Sequence, residues 1–132
     1  VTPLHSAEEL YKTCNVVSLH IPATAETKNS INYALLSRMP KGALLVNTAR
    51  KEVINEDELI QLMQDRADFK YVTDIMPAAD MKFKTLFEGR YFATPKKMGA
   101  QTAEANINAG IAAANQIVDF FTTGNTRFQV NK

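Results

Sequence analysis

The chain has 132 residues, of which 45% are hydrophobic and 22% are charged, a balance typical of a folded globular domain and not of a disordered segment. A formal net charge of +1, with no basic patch interleaved with aromatic residues, argues against nucleic acid or an anionic membrane surface as a partner. A single cysteine, Cys14, and no apolar run near the ~20 residues that a bilayer requires predict a reducing, cytoplasmic location without a membrane span.

The first half of the chain alternates between helix-like and strand-like segments. Apolar residues three or four positions apart indicate helices, and short apolar runs beside proline or a turn indicate strands. The run at residues 43–46 is wholly apolar and follows the turn-forming residues 40–42, which predicts a fully buried parallel strand. In chain order the predicted elements are a helix that begins at the capping box of Ser6 and Glu9, a strand over residues 15–21 that Pro22 ends, a helix over residues 29–39, and the strand over residues 43–46.

The second half continues this alternation. Asn55 is a typical helix N-cap, and Glu58 follows three residues later as its capping-box partner. The further predicted elements are a helix from Asn55 with Leu59, Leu62 and Met63 on its apolar face, strands over residues 69–74 and 90–94, and a helix from about residue 102 to residue 121 that stops before Gly124. The alternation predicts an α/β fold with a parallel, doubly wound sheet and flanking helices.

An arginine stands just past the end of the predicted strand at residues 43–46. In open α/β sheets, ligands bind in the crevice at the carboxyl ends of the strands, so Arg50 is predicted to lie where ligands bind. A guanidinium is always charged and can donate two parallel hydrogen bonds to one carboxylate. An arginine in this place without further context would more often form an ordinary salt bridge.

Five segments, spread over most of the chain, carry a further signal. They are NVVSLHIPAT (residues 15–24), MPKGALLVNTAR (39–50), VINEDEL (53–59), TDI (73–75), and the stretch from TP (94–95) to TAEA (102–105). In their order and nearly in their spacing, they resemble the D-isomer-specific 2-hydroxy-acid dehydrogenases. Within this family the chain is most similar to 3-phosphoglycerate dehydrogenases of a subgroup that carries lysine where the others have histidine.

The resemblance implies a partial NAD-binding domain over residues 1–132, the C-terminal part of a Rossmann-like sheet. The family's glycine-rich fingerprint and its substrate domain do not occur in the chain, so we expect a fragment of a longer enzyme. The implied cofactor is NAD, although the residue that distinguishes NAD from NADP belongs to the part not seen here. The implied reaction oxidises 3-phospho-D-glycerate to 3-phosphooxypyruvate, at the entry to serine biosynthesis.

The resemblance also implies roles for single residues. Arg50 would hold the substrate carboxylate and polarise the carbonyl, and Asp74 would accept a hydrogen bond from the nicotinamide carboxamide. The other implied cofactor contacts are Ile21, Pro22, Thr48, Ala49 and Gly99, the first four of them near the ends of strands. His20 is interpreted as structural, or as a support for the residues that contact the cofactor, and no metal ligand is expected.

The proton-transfer residue departs from the family pattern, which has histidine after Thr-Pro. Counting forward from Thr94 places Lys96 at that position, whereas counting back from residues 102–105 places Lys97 there. We favour Lys97, because the downstream match extends into the helix without a gap. A lysine serves as a base near neutral pH only where desolvation or neighbouring positive charge favours its neutral form, as a second lysine and Arg50 would. The alternative is a solvated pair on a loop.

The carboxylate that pairs with the family's histidine is also changed. The corresponding position, five residues beyond Asp74, is Ala79, and Asp80 is the adjacent carboxylate. Asp80 could serve after a small shift of the loop, and is otherwise expected to be exposed. A lysine base needs no carboxylate to orient a ring, so the loss of both family residues together is coherent.

Two other functions agree less well with the sequence. A dehydrogenase-like dinucleotide-binding module that acts through protein partners would keep the histidine, so the lysine disfavours it. A receiver-like signalling domain needs an acidic pair at the end of its first strand, and residues 15–22 offer none.

The apolar stripe of the last helix and an open sheet edge before residue 15 further predict self-association, as a dimer that exchanges the final helix.

Overall fold

The computed structural model describes residues 2–97 and 102–131, which fall into two compact units, residues 1–97 and 98–132. The first unit is an α/β layer structure and the second is a long helix with a short tail. The elements are α1 (Ala7–Thr13), β1 (Val16–Leu19), α2 (Tyr33–Leu36), β2 (Leu44–Asn47), a 3₁₀ turn (Lys51–Val53), α3 (Glu56–Asp65), β3 (Lys70–Thr73), α4 (Asp80–Leu86), β4 (Tyr91–Ala93) and α5 (Ala103–Thr123).

The four strands form one parallel sheet in the order β1-β2-β3-β4. Each connection between neighbouring strands contains a helix, as parallel pairing requires. The register aligns the last residues of all four strands, Leu19, Asn47, Thr73 and Ala93, in one row. The segments that follow these residues therefore leave the sheet along the same edge, and this edge positions the candidate site.

The core lies on one face of this sheet. Burial alternates along β1, β2 and β3, and the inward residues pack with the buried residues of α1 to α4 in one apolar cluster. The prediction that residues 43–46 are buried on both faces of the sheet was wrong. On the face away from the core, Leu44 and Val46 are half-buried, and Val16 on β1 is 58% exposed.

The predicted helix over residues 29–39 is much shorter in the structure. Asn29 has a left-handed backbone with φ of 55°, and Ile31 is extended and pairs with Ile54 in a parallel bridge. The helix starts only where the Asn32 side chain accepts the Leu35 amide at 3.0 Å. Tertiary pairing with the segment before α3 thus overrides the local apolar spacing.

Both predicted capping boxes are present in altered form. Asn55 caps α3 by accepting the Glu58 amide at 3.3 Å, and Ser6 caps α1 by accepting the Glu9 amide at 3.1 Å. Neither glutamate returns to the backbone N–H of its cap residue. Glu58 accepts the Asn55 side-chain amide at 2.8 Å and the Tyr33 N–H, so it joins α2 to α3. These starts confirm the predicted helix boundaries.

Helix α4 was not predicted, because its N-cap, Ala79, has no side chain that could signal a start. Helix α5 in the second unit agrees with the predicted final helix. It is capped by Thr102, which accepts the Ala105 amide at 3.0 Å, and ends at Gly124 in a left-handed conformation. Among residues 2–97 and 102–131, no helix combines the length and the hydropathy needed to span a membrane.

Candidate active site

The segments that leave the aligned strand ends form two neighbouring clefts in the first unit. Residues 20–22 follow β1, residues 48–50 follow β2, residues 74–76 follow β3, and residues 94–97 follow β4. Arg50 lines both clefts. The register of the sheet, rather than proximity in sequence, brings these residues together.

The first cleft has a volume of about 310 Å³ and lies between the ends of β1 and β2. Four of the predicted cofactor contacts line it, namely Ile21, Pro22, Thr48 and Ala49. Its lining residues are His20, Ile21, Pro22, Thr48, Ala49 and Arg50. His20, interpreted from sequence as structural, does line this cleft, and its Nε2 atom is 2.9 Å from the hydroxyl of Ser18.

The second cleft has a volume of about 340 Å³ and is strongly charged. Four of its lining side chains are cationic and two are carboxylates. Its lining residues are Arg50, Lys51, Glu52, Asp74, Ile75, Met76, Lys96 and Lys97. The surplus of positive charge suits an anionic ligand, and both lysines that compete for the acid/base role border the same space as Arg50.

The turn that carries Arg50 is held by Asn47, the last residue of β2. The buried Asn47 amide donates from Nδ2 to the carbonyl of Arg50 at 3.0 Å and accepts the Ala49 N–H at 3.0 Å. One side chain therefore closes residues 47–50 into a fixed turn. The guanidinium of Arg50 is exposed and donates from Nη1 to the Ala49 carbonyl at 3.0 Å, which leaves further donors directed elsewhere.

Thr73 connects this turn to the next strand end. Its hydroxyl lies 2.9 Å from the carbonyl oxygens of both Asn47 and Ile75, and it accepts the Ile75 N–H at 3.0 Å. The Asp74 N–H also donates to the Asn47 carbonyl at 3.2 Å. Asp74 is thus a buried carboxylate held by its backbone beside the Arg50 turn.

The lysine segment is tied to the sheet by Thr94. Its N–H donates to the Thr73 carbonyl at 3.0 Å, and its hydroxyl donates to the Lys96 carbonyl at 2.8 Å. Lys96 is exposed and Lys97 is half-buried. Gly99, the remaining predicted cofactor contact, lies outside the described residues.

The structure does not bring Asp80 into either cleft. Asp80 is buried rather than exposed, at the start of α4. Its Oδ1 accepts the Tyr91 hydroxyl at 2.7 Å and its Oδ2 accepts Lys84 Nζ at 2.7 Å. These donors hold the pKa of Asp80 below its ordinary value, and burial together with Asp80 raises the pKa of Tyr91. Asp80 joins α4 to β4, so we leave it out of the catalytic set proposed below.

Residues 2–97 and 102–131 contain no cluster of histidine, cysteine, aspartate or glutamate suited to a metal ion.

The sequence patterns did not single out Asn47 and Thr73. A signal for both existed, because they occupy the same inward register as Leu45 and Tyr71 on their strands. A polar side chain at a buried strand position must find hydrogen-bond partners.

We predict that Asn47→Ala destabilises the chain. The change removes two hydrogen bonds and leaves the Ala49 amide without its side-chain acceptor, which should lower the free energy of unfolding by about 1–3 kcal/mol. Urea unfolding of the 132-residue chain measures this difference. The exposed Asn15 provides a control, Asn15→Ala, which should change the midpoint little; equal midpoints for the two variants would contradict the role of Asn47.

Comparison with known proteins identifies the domain. Residues 1–95 match the family described as D-isomer specific 2-hydroxyacid dehydrogenase, NAD binding domain. The chain is 34% identical over 134 residues to D-3-phosphoglycerate dehydrogenase of Haemophilus influenzae, covering 97% of this chain and 32% of that protein. It is 32% identical over 114 residues to hydroxypyruvate reductase of Thermotoga maritima, covering 83% and 37%.

A solved structure has a similar fold. The NAD+-bound 3-phosphoglycerate dehydrogenase of Entamoeba histolytica has a TM-score of 0.81 and 51% identity, over 100% of this chain and 44% of that one. The chain therefore spans 32% of the length of the Haemophilus influenzae protein and 44% of the chain in the solved structure. On the match over residues 1–95 and the shared parallel sheet, the chain belongs to the NAD-binding domain of the D-isomer-specific 2-hydroxyacid dehydrogenase family.

Proposed function

We propose that this chain is part of an enzyme that oxidises 3-phospho-D-glycerate to 3-phosphooxypyruvate with NAD, the step that opens serine biosynthesis. The observation that carries this proposal is the cleft in which Arg50, Asp74, Lys96 and Lys97 meet at the carboxyl ends of the strands. The identity to 3-phosphoglycerate dehydrogenases supports the choice of substrate.

The residues present fit the nicotinamide end of NAD. A carboxamide needs a hydrogen-bond acceptor, and the buried carboxylate of Asp74 lies at the strand end beside the Arg50 turn. The segments around Ile21 and Thr48 border a separate cleft next to it, which offers room for an adjoining part of the cofactor. Bound NAD would supply the acceptor for the hydride on C2 of the substrate.

The chain's own side chains would do the remaining work. Arg50 would hold the substrate carboxylate with a forked pair of hydrogen bonds and polarise the oxygen on C2. Lys97 would accept the hydroxyl proton as that oxygen becomes a carbonyl, and Lys96 borders the same cleft. The additional cation of Lys51 in the same cleft is consistent with a substrate that carries a phosphate besides its carboxylate.

Turnover of the whole protein tests this proposal. We expect NADH to form when NAD and 3-phospho-D-glycerate are mixed with the enzyme, and to form much more slowly with D-glycerate or D-lactate. Absorbance at the NADH band measures the rate. If the enzyme oxidised only an unphosphorylated acid, the proposed substrate would be wrong. If it bound NAD but showed no turnover, a dinucleotide-binding module that acts through protein partners would be favoured.

We predict that the 132-residue chain by itself binds NAD weakly or not at all. The glycine-rich turn, whose amides hold the pyrophosphate at a helix N-terminus, is not in this sequence. Titration calorimetry should therefore detect no binding at micromolar NAD. Micromolar affinity would contradict the assignment of the pyrophosphate site to residues beyond this chain.

We also propose a homodimer, located in the cytoplasm. Exposed apolar side chains on α5 support association: Phe121 is 80% exposed, and Ile107, Ile111 and Val118 are also exposed. In addition β1 is an edge strand, with one pairing partner among the described residues. The half-buried free thiol of Cys14 is consistent with a reducing compartment.

Self-association of the chain is therefore expected. Large exposed apolar surfaces and unpaired strand edges favour pairing with a second copy. Sedimentation equilibrium at high micromolar concentration should show a dimer, and Phe121→Ser should weaken it more than Thr122→Ser. A monomer at that concentration that unfolds cooperatively would contradict the proposal.

A further inference from the structure

Glu56, in the first turn of α3, contacts the loop that forms one wall of the second cleft. Glu56 accepts the Ala78 N–H through Oε1 at 3.0 Å and the Ala79 N–H through Oε2 at 2.8 Å. Both carboxylate oxygens are used, on two consecutive peptide groups. Hydrogen bonds to an ionised acceptor are stronger than those between neutral groups, so this contact is a firm anchor for the loop.

The loop, residues 74–79, connects β3 to α4 and is anchored at both of its ends. At its start, the Thr73 hydroxyl accepts the Ile75 N–H. At its end, Asp80 is bound by Tyr91, and its N–H donates to the Pro77 carbonyl at 3.3 Å. Glu56 holds the amides that lie between these anchors. One of these amides belongs to Ala79, the N-cap of α4, and no side chain of the loop caps this helix.

The first half of this loop borders the chemistry. Asp74, Ile75 and Met76 line the same cleft as Arg50 and the two lysines, whereas Glu56 is not among its lining residues. We propose that Glu56 is a positioning residue, which holds residues 74–79 so that the wall formed by Asp74, Ile75 and Met76 keeps its place in the cleft that Arg50 also lines. This proposal rests on the function proposed above. Glu56 acts through the loop and touches no reacting atom.

The two acids that follow Glu56 allow the effect of its hydrogen bonds to be distinguished from a general effect of negative charge. Glu56, Asp57 and Glu58 all lie in the first turn of α3, where carboxylates interact favourably with the helix dipole. Glu58 is engaged with Tyr33 and Asn55, on the side of α2. Asp57 is exposed. The bond to the loop distinguishes Glu56, and Asp57→Asn therefore serves as a matched control that removes the same charge from the same turn.

The test compares Glu56→Gln, Glu56→Ala and Asp57→Asn in the whole protein. Hydrogen exchange of the peptide that covers residues 75–79 is measured without substrate. We expect faster exchange in Glu56→Ala, an intermediate rate in Glu56→Gln, which keeps one acceptor oxygen, and no change in Asp57→Asn. Because this measurement needs no turnover, it remains decisive even if the proposed reaction proves wrong. Unchanged exchange in Glu56→Ala would overturn the proposal.

Kinetics then tests the link to the cleft. Misplacing a wall of the site should lower kcat by about tenfold or more in Glu56→Ala while Asp57→Asn stays near wild type. A double-mutant cycle with Asp74→Asn provides a readout that lost stability alone would not change. If Glu56 acts through the position of Asp74, the two effects are less than additive. Fully additive effects would show that Glu56 stabilises the fold without positioning the wall.

Discussion

Replacing Arg50 by alanine is expected to reduce the kcat/KM of the whole enzyme for its 2-hydroxy acid by about 10- to 150-fold or more. A hydrogen bond to a charged group is worth about 1.5–3 kcal/mol, and Arg50 is proposed to make such bonds to the substrate carboxylate and to the oxygen on C2. NAD affinity should change little, because the cofactor contacts around Arg50 are assigned to backbone and to Asp74. Steady-state kinetics and NADH fluorescence titration measure the two quantities separately.

A conservative variant sharpens this test. Arg50→Lys keeps the charge but loses the planar fork, so it should recover only part of the activity. The fixed turn made by Asn47 allows the comparison, because its bonds to residues 49 and 50 use backbone groups that both variants retain. An Arg50→Ala enzyme with near wild-type kcat/KM would remove Arg50 from the proposed mechanism.

Replacing Lys97 by methionine is expected to have the largest effect on turnover. General acid/base catalysis contributes about 10²- to 10⁴-fold, and methionine preserves much of the side-chain length without a proton acceptor. Lys97 is the better placed of the two lysines, since it is half-buried in the cleft whereas Lys96 is exposed. The measurement is kcat over a range of pH, with substrate and NAD saturating.

Lys96→Met is the matched variant. If Lys97 is the base, Lys96→Met leaves in place the group that accepts the proton. The maximal rate should remain close to that of wild type. A collapse of the rate in Lys96→Met with an active Lys97→Met would transfer the role to Lys96. Two active variants would place both lysines outside the chemistry.

The sequence predicted the strands and the helix ends well where the signal was local. Asn55, Thr102 and Gly124 mark helix boundaries within a turn of their own position, and the structure agrees with each of them. β1, β3 and β4 are two or three residues shorter than predicted, whereas β2 has the predicted length and lies one residue later. The predicted resemblance to the 2-hydroxyacid dehydrogenases was also confirmed.

Local signals failed where a distant segment decided the conformation. Residues 29–39 carry apolar spacing typical of a helix, yet Ile31 pairs with Ile54 in a parallel bridge and the helix begins only at Tyr33. Helix α4 lacks a cap residue in its own sequence, and Glu56, more than twenty positions earlier, binds the amides at its start. Asp80, expected to be exposed, is buried because Tyr91 and Lys84 supply donors to both of its oxygens.

The alternation of strands and helices and the place of Arg50 after β2 can be predicted from the sequence, because apolar periodicity and turn residues act over a few positions. Which side chains share a space depends on the tertiary structure. The in-register strand ends bring Arg50, Asp74 and Lys97 together from three different segments, and the polar contacts of Asn47, Thr73 and Glu56 hold those segments. These contacts join residues that are far apart in the chain, so their partners follow from strand register and burial rather than from local pattern.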